Sequence, residues 1–274
     1  MIFDGKIAAE HYYEELKNKV EEHKRNGVCF KLAVVQLVKD DASGAYLNGR
    51  RKICEKIGVS LEAYDYSFKT KEEIIDLIKE LNNNPEISGI MIDRPFPKGM
   101  DENEIFSYLD PSKDVDGCTI INAGRLFQNK KCFVPSTAKA VVELMKYYNI
   151  NVEGKEVVVV GRSKTVGAPL AQLLINNNAT VTICHSKTKD LKEVTKRADI
   201  VVVAIGRRAF INEEYVTPNT VIFDVGSHYD EFGKMCGDVD KNIYDYVNSY
   251  SPVPRGVGPL TNVALMQNLI STKE

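Results

Sequence analysis

The feature that most limits what this chain can fold into is an alternation that begins twice. Residues 31–38, 59–66 and 87–92 are short apolar runs that read as strands, and 6–26, 44–57 and 71–83 are longer amphipathic stretches that read as helices. A looser region follows over roughly 95–135, with a helix at about 137–148. The alternation restarts at Asn151. Residues 156–161, 180–184, 199–206 and 220–226 read as strands, and 166–176 and 188–197 as helices. Short apolar strands separated by helices are βαβ units, and such crossovers are what parallel strands require. The expected fold class is therefore α/β, with two domains meeting near residue 137 and the second Rossmann-like. A final helix begins at Pro259, after SPVPRGVGP, whose Pro and Gly content marks a sharp bend or a close backbone approach to a ligand.

Composition narrows the function classes. The chain has 274 residues, 43% apolar and 27% charged, with a net charge of -2, so a core is affordable and no basic footprint for nucleic acid or a membrane surface exists. No apolar run approaches the roughly 18 residues of a membrane span. The N-terminus, MIFDGKIAAEHYYEELK, carries charge where a signal peptide needs an apolar centre. Six scattered cysteines without a CxxC pair fit a reducing cytoplasm. Four histidines without HxxxH spacing give no expectation of a bound metal.

In the second block, the strand EVVVV runs into GRSKTVG and then a helix. Glycine permits the tight turn of a βα unit, and the helix N-terminus beyond it attracts phosphate. The spacing is GxxxxxG, not the GxGxxG of the generic dinucleotide fingerprint, so taken alone the loop fits a plain βα turn as well. The next strand ends Cys184-His185-Ser186-Lys187, without the acid that would meet a ribose 2′-hydroxyl. Arg162 and Ser186 could instead hold a 2′-phosphate. The bland alternative makes Arg162, Lys164 and Lys187 solvated loop charges. In the first block, SGAYLNGRRK places Tyr46 and Arg50 one helical turn apart. They look like a catalytic pair, except that arginine does not release its proton near neutral pH.

With these pieces assembled, the chain resembles the bifunctional methylenetetrahydrofolate dehydrogenase/cyclohydrolase family over nearly its whole length. The matching segments are FDGKIAAE, DDASGAYLNGR, SGIMIDRPFP, PSKDVDGCTIINAGRL, VVVVGRSKTVGAPLAQLL, CHSKT, GDVD and SPVPRGVGPLTNVAL. The resemblance implies a folate and catalytic domain over 1–136, completed by the C-terminal helix 259–274, and an NADP-binding domain over 137–258, with a substrate cleft between them. It implies that Asp116 holds the pterin and that Tyr46 stacks beside the p-aminobenzoate and pterin portion. Ile92, Asp93 and Arg94 would line the substrate site with Arg50, and Pro254, Arg255, Gly256, Val257 and Gly258 would close over it. Gly161, Arg162, Ser163, Thr165, Ser186, Ser227 and Thr261 would receive NADP. The family is usually a homodimer serving one-carbon metabolism.

Three positions depart from the family pattern together. The lysine of YxxxK is Arg50, the glutamine of VQLP is Asp93 followed by Arg94, and the first glycine of PGGVGP is Arg255. Lys52 cannot stand in for that lysine, because two helical positions turn it about 200° away. Drift in a silent paralogue would also erode Tyr46, Asp116 and the cofactor segments, which still match. Coordinated change would replace a cation–amide pair by a bidentate Arg50–Asp93 pair, with Arg94 or Arg255 competing for Asp93 or meeting the substrate's glutamate tail. Catalytic roles then fall to Tyr46, Arg50, Asp93 and Asp116. Hydride transfer needs mainly aligned rings, whereas ring-opening by water needs proton transfer, which arginine cannot provide. The expectation is NADP-dependent oxidation of methylenetetrahydrofolate with cyclohydrolase activity reduced or absent. A fully bifunctional enzyme and a non-catalytic folate- or nucleotide-binding paralogue are the alternatives.

Overall fold

The apolar runs assemble into parallel sheets. The computed structural model describes residues 1–39 and 41–274. Asp40 of the DDAS segment, and the side chains of Asp41, Ala42, Ser43 and Ala45, lie outside the described residues. In chain order come α1 (Gly5–Arg25), β1 (Lys31–Gln36), α2 (Asp41–Ile57), β2 (Ser60–Asp65), α3 (Lys71–Asn83), β3 (Gly89–Asp93), α4 (Glu102–Ser107), α5 (Ile120–Phe127) and α6 (Ser136–Tyr147). Then follow β4 (Glu156–Val160), α7 (Gly167–Asn176), β5 (Thr180–Cys184), α8 (Leu191–Lys196), β6 (Ile200–Val203) and β7 (Val221–Asp224). The short strands β8 (His228–Tyr229), β9 (Met235–Cys236) and β10 (Ser249–Ser251) precede α9 (Gly258–Ile270). One sheet has the order β2-β1-β3 and the other β10-β7-β6-β4-β5, each parallel throughout. β8 and β9 form a small antiparallel pair.

Burial explains the strand sequences. β1 is central, and Leu32 to Gln36 are all buried, so its sequence is continuously apolar up to Gln36. β2 is an edge strand and leaves Ser60, Glu62, Ala63 and Asp65 exposed. α3 starts at a capping box in which Thr70 and Glu73 each satisfy the other's backbone N–H, and it buries Ile74, Ile75, Leu77, Ile78 and Leu81. These side chains pack with Val35, Ile90, Ile92 and Phe106. A second cluster gathers Val158, Val160, Val201, Val203, Ile222 and Val239.

The chain divides into two compact units, Met1–Glu10 with Pro135–Ala264, and His11–Val134 with Leu265–Glu274. The sequence reading kept the first ten residues with the first block. The structure instead ties them to the second. Phe3 N–H donates to the Tyr250 carbonyl at 2.8 Å, and the Phe3 ring stacks on Phe223 at 5.2 Å. In the other unit, Asn268 near the chain end donates to the carbonyls of Val115 at 2.8 Å and Val134 at 2.9 Å.

Some elements differ from expectation for visible reasons. The run 199–206 leaves the sheet after Val203, because the N–H groups of Ile205, Gly206 and Arg207 turn to the Asp238 carboxylate. The helix expected at 188–197 begins only at Leu191, behind Asp190, which has φ 50°. The looser region contains α4 and α5, capped by Asp101 and Thr119. At six and eight residues, these helices are too short for periodicity to reveal. Among the described residues, no helix is long and apolar enough to cross a membrane.

Candidate active site

The end of β3 gathers most of the residues singled out in the first block. Arg50 on α2 and Asp93 at the end of β3 are both buried, at 6% and 7% exposure. Arg50 Nη1 lies 3.1 Å from each carboxylate oxygen of Asp93. The expected pair therefore forms, but not as a two-pronged fork. One nitrogen serves both oxygens, and the buried Nε has no hydrogen-bond partner. Lys52 is exposed, as its helical phase requires, and Tyr46 is 62% exposed one turn before Arg50. Ile92 is not a surface contact. Strand alternation turns it opposite to Asp93, and at 2% exposure it belongs to the core.

Arg94 and Arg255 do not compete for Asp93. Arg94 Nε donates to Glu102 Oε2 at 3.1 Å, and its guanidinium lies over the Phe106 ring. Arg255 pairs with Asp4. Its φ is +80°, a region that costs a residue with a Cβ, which accounts for glycine in the family pattern at this position. The PRGVG segment folds against the DGK segment: Gly5 N–H donates to the Arg255 carbonyl at 2.6 Å, and a Cβ on Gly5 would fall 1.7 Å from the Gly256 oxygen. Pro254 and Gly258 are exposed, whereas Val257 is a core residue at 2%.

The DVDG loop divides labour between its two aspartates. Asp114, 1% exposed, accepts from the N–H of Cys118 at 2.9 Å, the N–H of Thr119 at 2.8 Å and the Asn122 amide at 2.9 Å. Burial raises its carboxyl above the usual range against these donors. Gly117 has φ +61°, and a Cβ there would meet the Phe133 carbonyl at 2.6 Å. The loop backbone is thus fixed from within. Asp116, with a half-buried side chain, is left at its surface.

In the other unit, the residues expected at a dinucleotide sit on adjacent strand ends. Val160 of β4 pairs with Cys184 of β5, so Arg162 and Ser186 each lie two residues beyond the same rung. Gly161 has φ +129°, and a Cβ on it would lie 2.1 Å from the Ala204 oxygen. A Cβ on Gly167 would lie 2.1 Å from the Gly161 oxygen. The GxxxxxG spacing is therefore a loop closed on itself, with a backbone that no larger residue could follow. Ser163 Oγ accepts from the N–H groups of Val166 and Gly167 at the start of α7. Arg162, Ser186 and Ser227 are exposed, Thr165 is half-buried, and the Thr261 hydroxyl donates to the Gly258 carbonyl.

Sequence reasoning passed over a buried acidic pair beside these loops. Asp224, at the end of β7, accepts from the N–H groups of Gly226, Asp238 and Val239. Asp238 accepts from Ile205, Gly206 and Arg207, and its Oδ1 lies 2.7 Å from His228 Nε2. Both are fully buried. Burial pushes Asp224 up to about 7, against the pull of its three donors. An acid ending an apolar strand, TVIFDVG, and the GDVD string were the available signals.

Parallel sheets with a phosphate-type glycine turn at β4 and converging polar side chains at β3 define a two-domain, dinucleotide-binding α/β enzyme class. Residues 3–116 match the model of the tetrahydrofolate dehydrogenase/cyclohydrolase catalytic domain, and residues 135–274 that of the family's NAD(P)-binding domain. The chain is 45% identical to the Bifunctional protein FolD of Lachnoclostridium phytofermentans, covering 98% of this chain and 96% of that protein. Among solved structures, the bifunctional FolD of Campylobacter jejuni superposes with a TM-score of 0.97 at 36% identity, covering 99% of this chain and 98% of the other. The Trypanosoma brucei enzyme, described as complexed with NADP cofactor and an inhibitor, gives 0.93 at 30% identity, covering 99% and 96%. The chain belongs to the tetrahydrofolate dehydrogenase/cyclohydrolase family.

Proposed function

We propose that this protein oxidises 5,10-methylenetetrahydrofolate to 5,10-methenyltetrahydrofolate with NADP, and that the following hydrolysis to 10-formyltetrahydrofolate is reduced or absent. The observation that carries this reading is the buried Arg50–Asp93 pair, where the family pattern has lysine and glutamine. In the oxidation, the methylene carbon loses a hydride and its two flanking nitrogens stabilise the resulting cation. NADP, when bound, supplies the hydride acceptor. No side chain has to gain or lose a proton in that step, so a fixed guanidinium is no obstacle. Hydrolysis adds water to the methenyl carbon and opens a C–N bond, which requires a group that takes up a proton and returns it. An arginine side chain does not release its proton near neutral pH, and Asp93 has both oxygens engaged by Arg50 Nη1. The glycine loop and exposed Arg162 and Ser186 suit NADP: the backbone can approach a pyrophosphate, and no acid stands where a 2′-phosphate would lie.

A second reading keeps both activities, and it is favoured by the relatives at 41–45% identity that are named bifunctional. One assay separates the two. With methylenetetrahydrofolate and NADP supplied, the proposal expects reduced cofactor to form while the methenyl product accumulates. Conversion onward to the formyl product, faster than spontaneous hydrolysis, supports the bifunctional reading. Binding without reduction removes both.

A further inference from the structure

Asp93 ends β3, Arg94 follows it at the bend, and their side chains meet different partners. Asp93 goes to Arg50. Arg94 goes to the DVDG loop, and nothing in the proposed chemistry uses it. We propose that Arg94 is a positioning residue for the reaction: it fixes the Asp116 carboxylate, with the Cys118 thiol as the bridge between them. The proposal rests on the reading that Asp116 receives the folate.

Three neighbours hold the guanidinium. Nε donates to Glu102 Oε2 at 3.1 Å, the Phe106 ring lies 5.2 Å beneath the guanidinium carbon, and Nη1 and Nη2 approach Cys118 Sγ at 3.6 and 3.7 Å. In this setting Nη1 stands 3.9 Å from Asp116 Oδ2. The thiol in turn lies 3.4 Å from Asp116 Oδ2 and 3.5 Å from the Asp116 carbonyl oxygen. Cys118 therefore donates to the carboxylate while accepting from the guanidinium. Burial, and then the charge of Asp116, push the thiol up, so it keeps the proton that makes it a donor. The carboxylate is met on one oxygen by a thiol and a cation, which selects one rotamer. The loop backbone does not depend on this contact, since Asp114 and Gly117 hold it separately. Removing Arg94 should loosen the Asp116 side chain and leave the loop in place. The competing view is an ordinary surface pair between Arg94 and Glu102, without consequence for substrate.

The test is steady-state dehydrogenase kinetics of the full-length protein carrying Arg94→Leu, Arg94→Lys, Asp116→Asn, and Arg94→Leu with Asp116→Asn. Arg94→Leu should raise KM for methylenetetrahydrofolate by about fivefold, with kcat and KM for NADP within about twofold of the unmodified protein, and Arg94→Lys should recover part of the loss. Because Arg94 acts through Asp116, the double variant should be no worse than Asp116→Asn alone. An unchanged folate KM in Arg94→Leu overturns the proposal while leaving the substrate reading intact. So does a loss that adds in full to that of Asp116→Asn, or one that grows with the number of glutamates on the folate, which would mean direct contact with the tail. If Asp116→Asn itself leaves folate KM unchanged, the substrate reading falls and this proposal with it. Should Arg94→Leu fail to fold, Glu102→Gln loosens the same guanidinium from a half-buried partner. It should raise folate KM in the same direction, and no change there also overturns the proposal.

Discussion

The strand ends of the two sheets are built in opposite ways. At β3, charge is answered from inside the protein: Asp93 holds Arg50, both are buried, and Arg94 is engaged by Glu102 and Cys118. At β4, the loop is closed on glycine, and beside the end of β5 Arg162 stands exposed without an ion-pair partner among the described residues. Parallel α/β sheets present their chemistry at these C-terminal ends, but an end can be furnished for positioning or left open for a ligand's charge. In this chain the β4–β5 end keeps the family pattern, and the β3 end departs from it. On the proposed function, a family reaction that needs only positioning suits both ends, and one that needs a mobile proton is the one the β3 end would slow.

The largest effect expected from this contrast is on stability. Arg50→Ala strands a buried carboxylate and should cost about 3–5 kcal/mol in urea denaturation, whereas Arg162→Ala should stay within about 0.5 kcal/mol. Similar losses would break the comparison. Next comes activity. Restoring the family pair with Arg50→Lys and Asp93→Gln together should raise methenyl hydrolysis by about 100-fold over the unmodified protein, beyond the product of the single changes. If the unmodified protein already hydrolyses as fast as the double variant, the arginine is no obstacle and the dehydrogenase-only reading is wrong. At the open end, Arg162→Ala should weaken NADP by about 1.5–3 kcal/mol more than NAD in calorimetric titration. Equal weakening would remove Arg162 from the 2′-phosphate.

A pH-dependent effect concerns Asp224, raised to about 7 by burial. Its folded value lies above the ordinary carboxylate value, so the folded state keeps a proton that the unfolded chain gives up at lower pH. The stability this group contributes is present below about pH 4 and lost as pH rises towards 7. The urea midpoint of the unmodified protein, taken relative to Asp224→Asn, should therefore fall across that window and level off above it. A difference that stays flat would show that the three N–H donors, not burial, govern this carboxylate.

The local rules were legible wherever an element is long or periodic. β1, α3 and β4 follow from runs of apolar residues and from a capping box, because burial of one face or both leaves a direct mark on sequence. α4 and α5 left no such mark, and the acidic pair Asp224–Asp238 left only an acid ending an apolar strand and the GDVD string. Short helices carry too few turns to show a period, and a buried acid is intelligible only once its N–H donors from distant segments are in place.

The sequence by itself determined the two α/β blocks and the family, and it pointed to Arg50 and Asp93 as departures from the family pattern. It named an Arg50–Asp93 pair but left open which partners Arg94 and Arg255 take. That was decided by the tertiary structure, because the partners of each charge come from segments distant in the chain. Asp93 turns to α2 and Arg94 to the DVDG loop, Arg255 is taken by Asp4 from the far end of the chain, and one nitrogen of Arg50, not its fork, reaches the carboxylate. Charge pairing depends on distances of a few ångströms between segments tens to hundreds of residues apart, and those distances exist only in the folded chain.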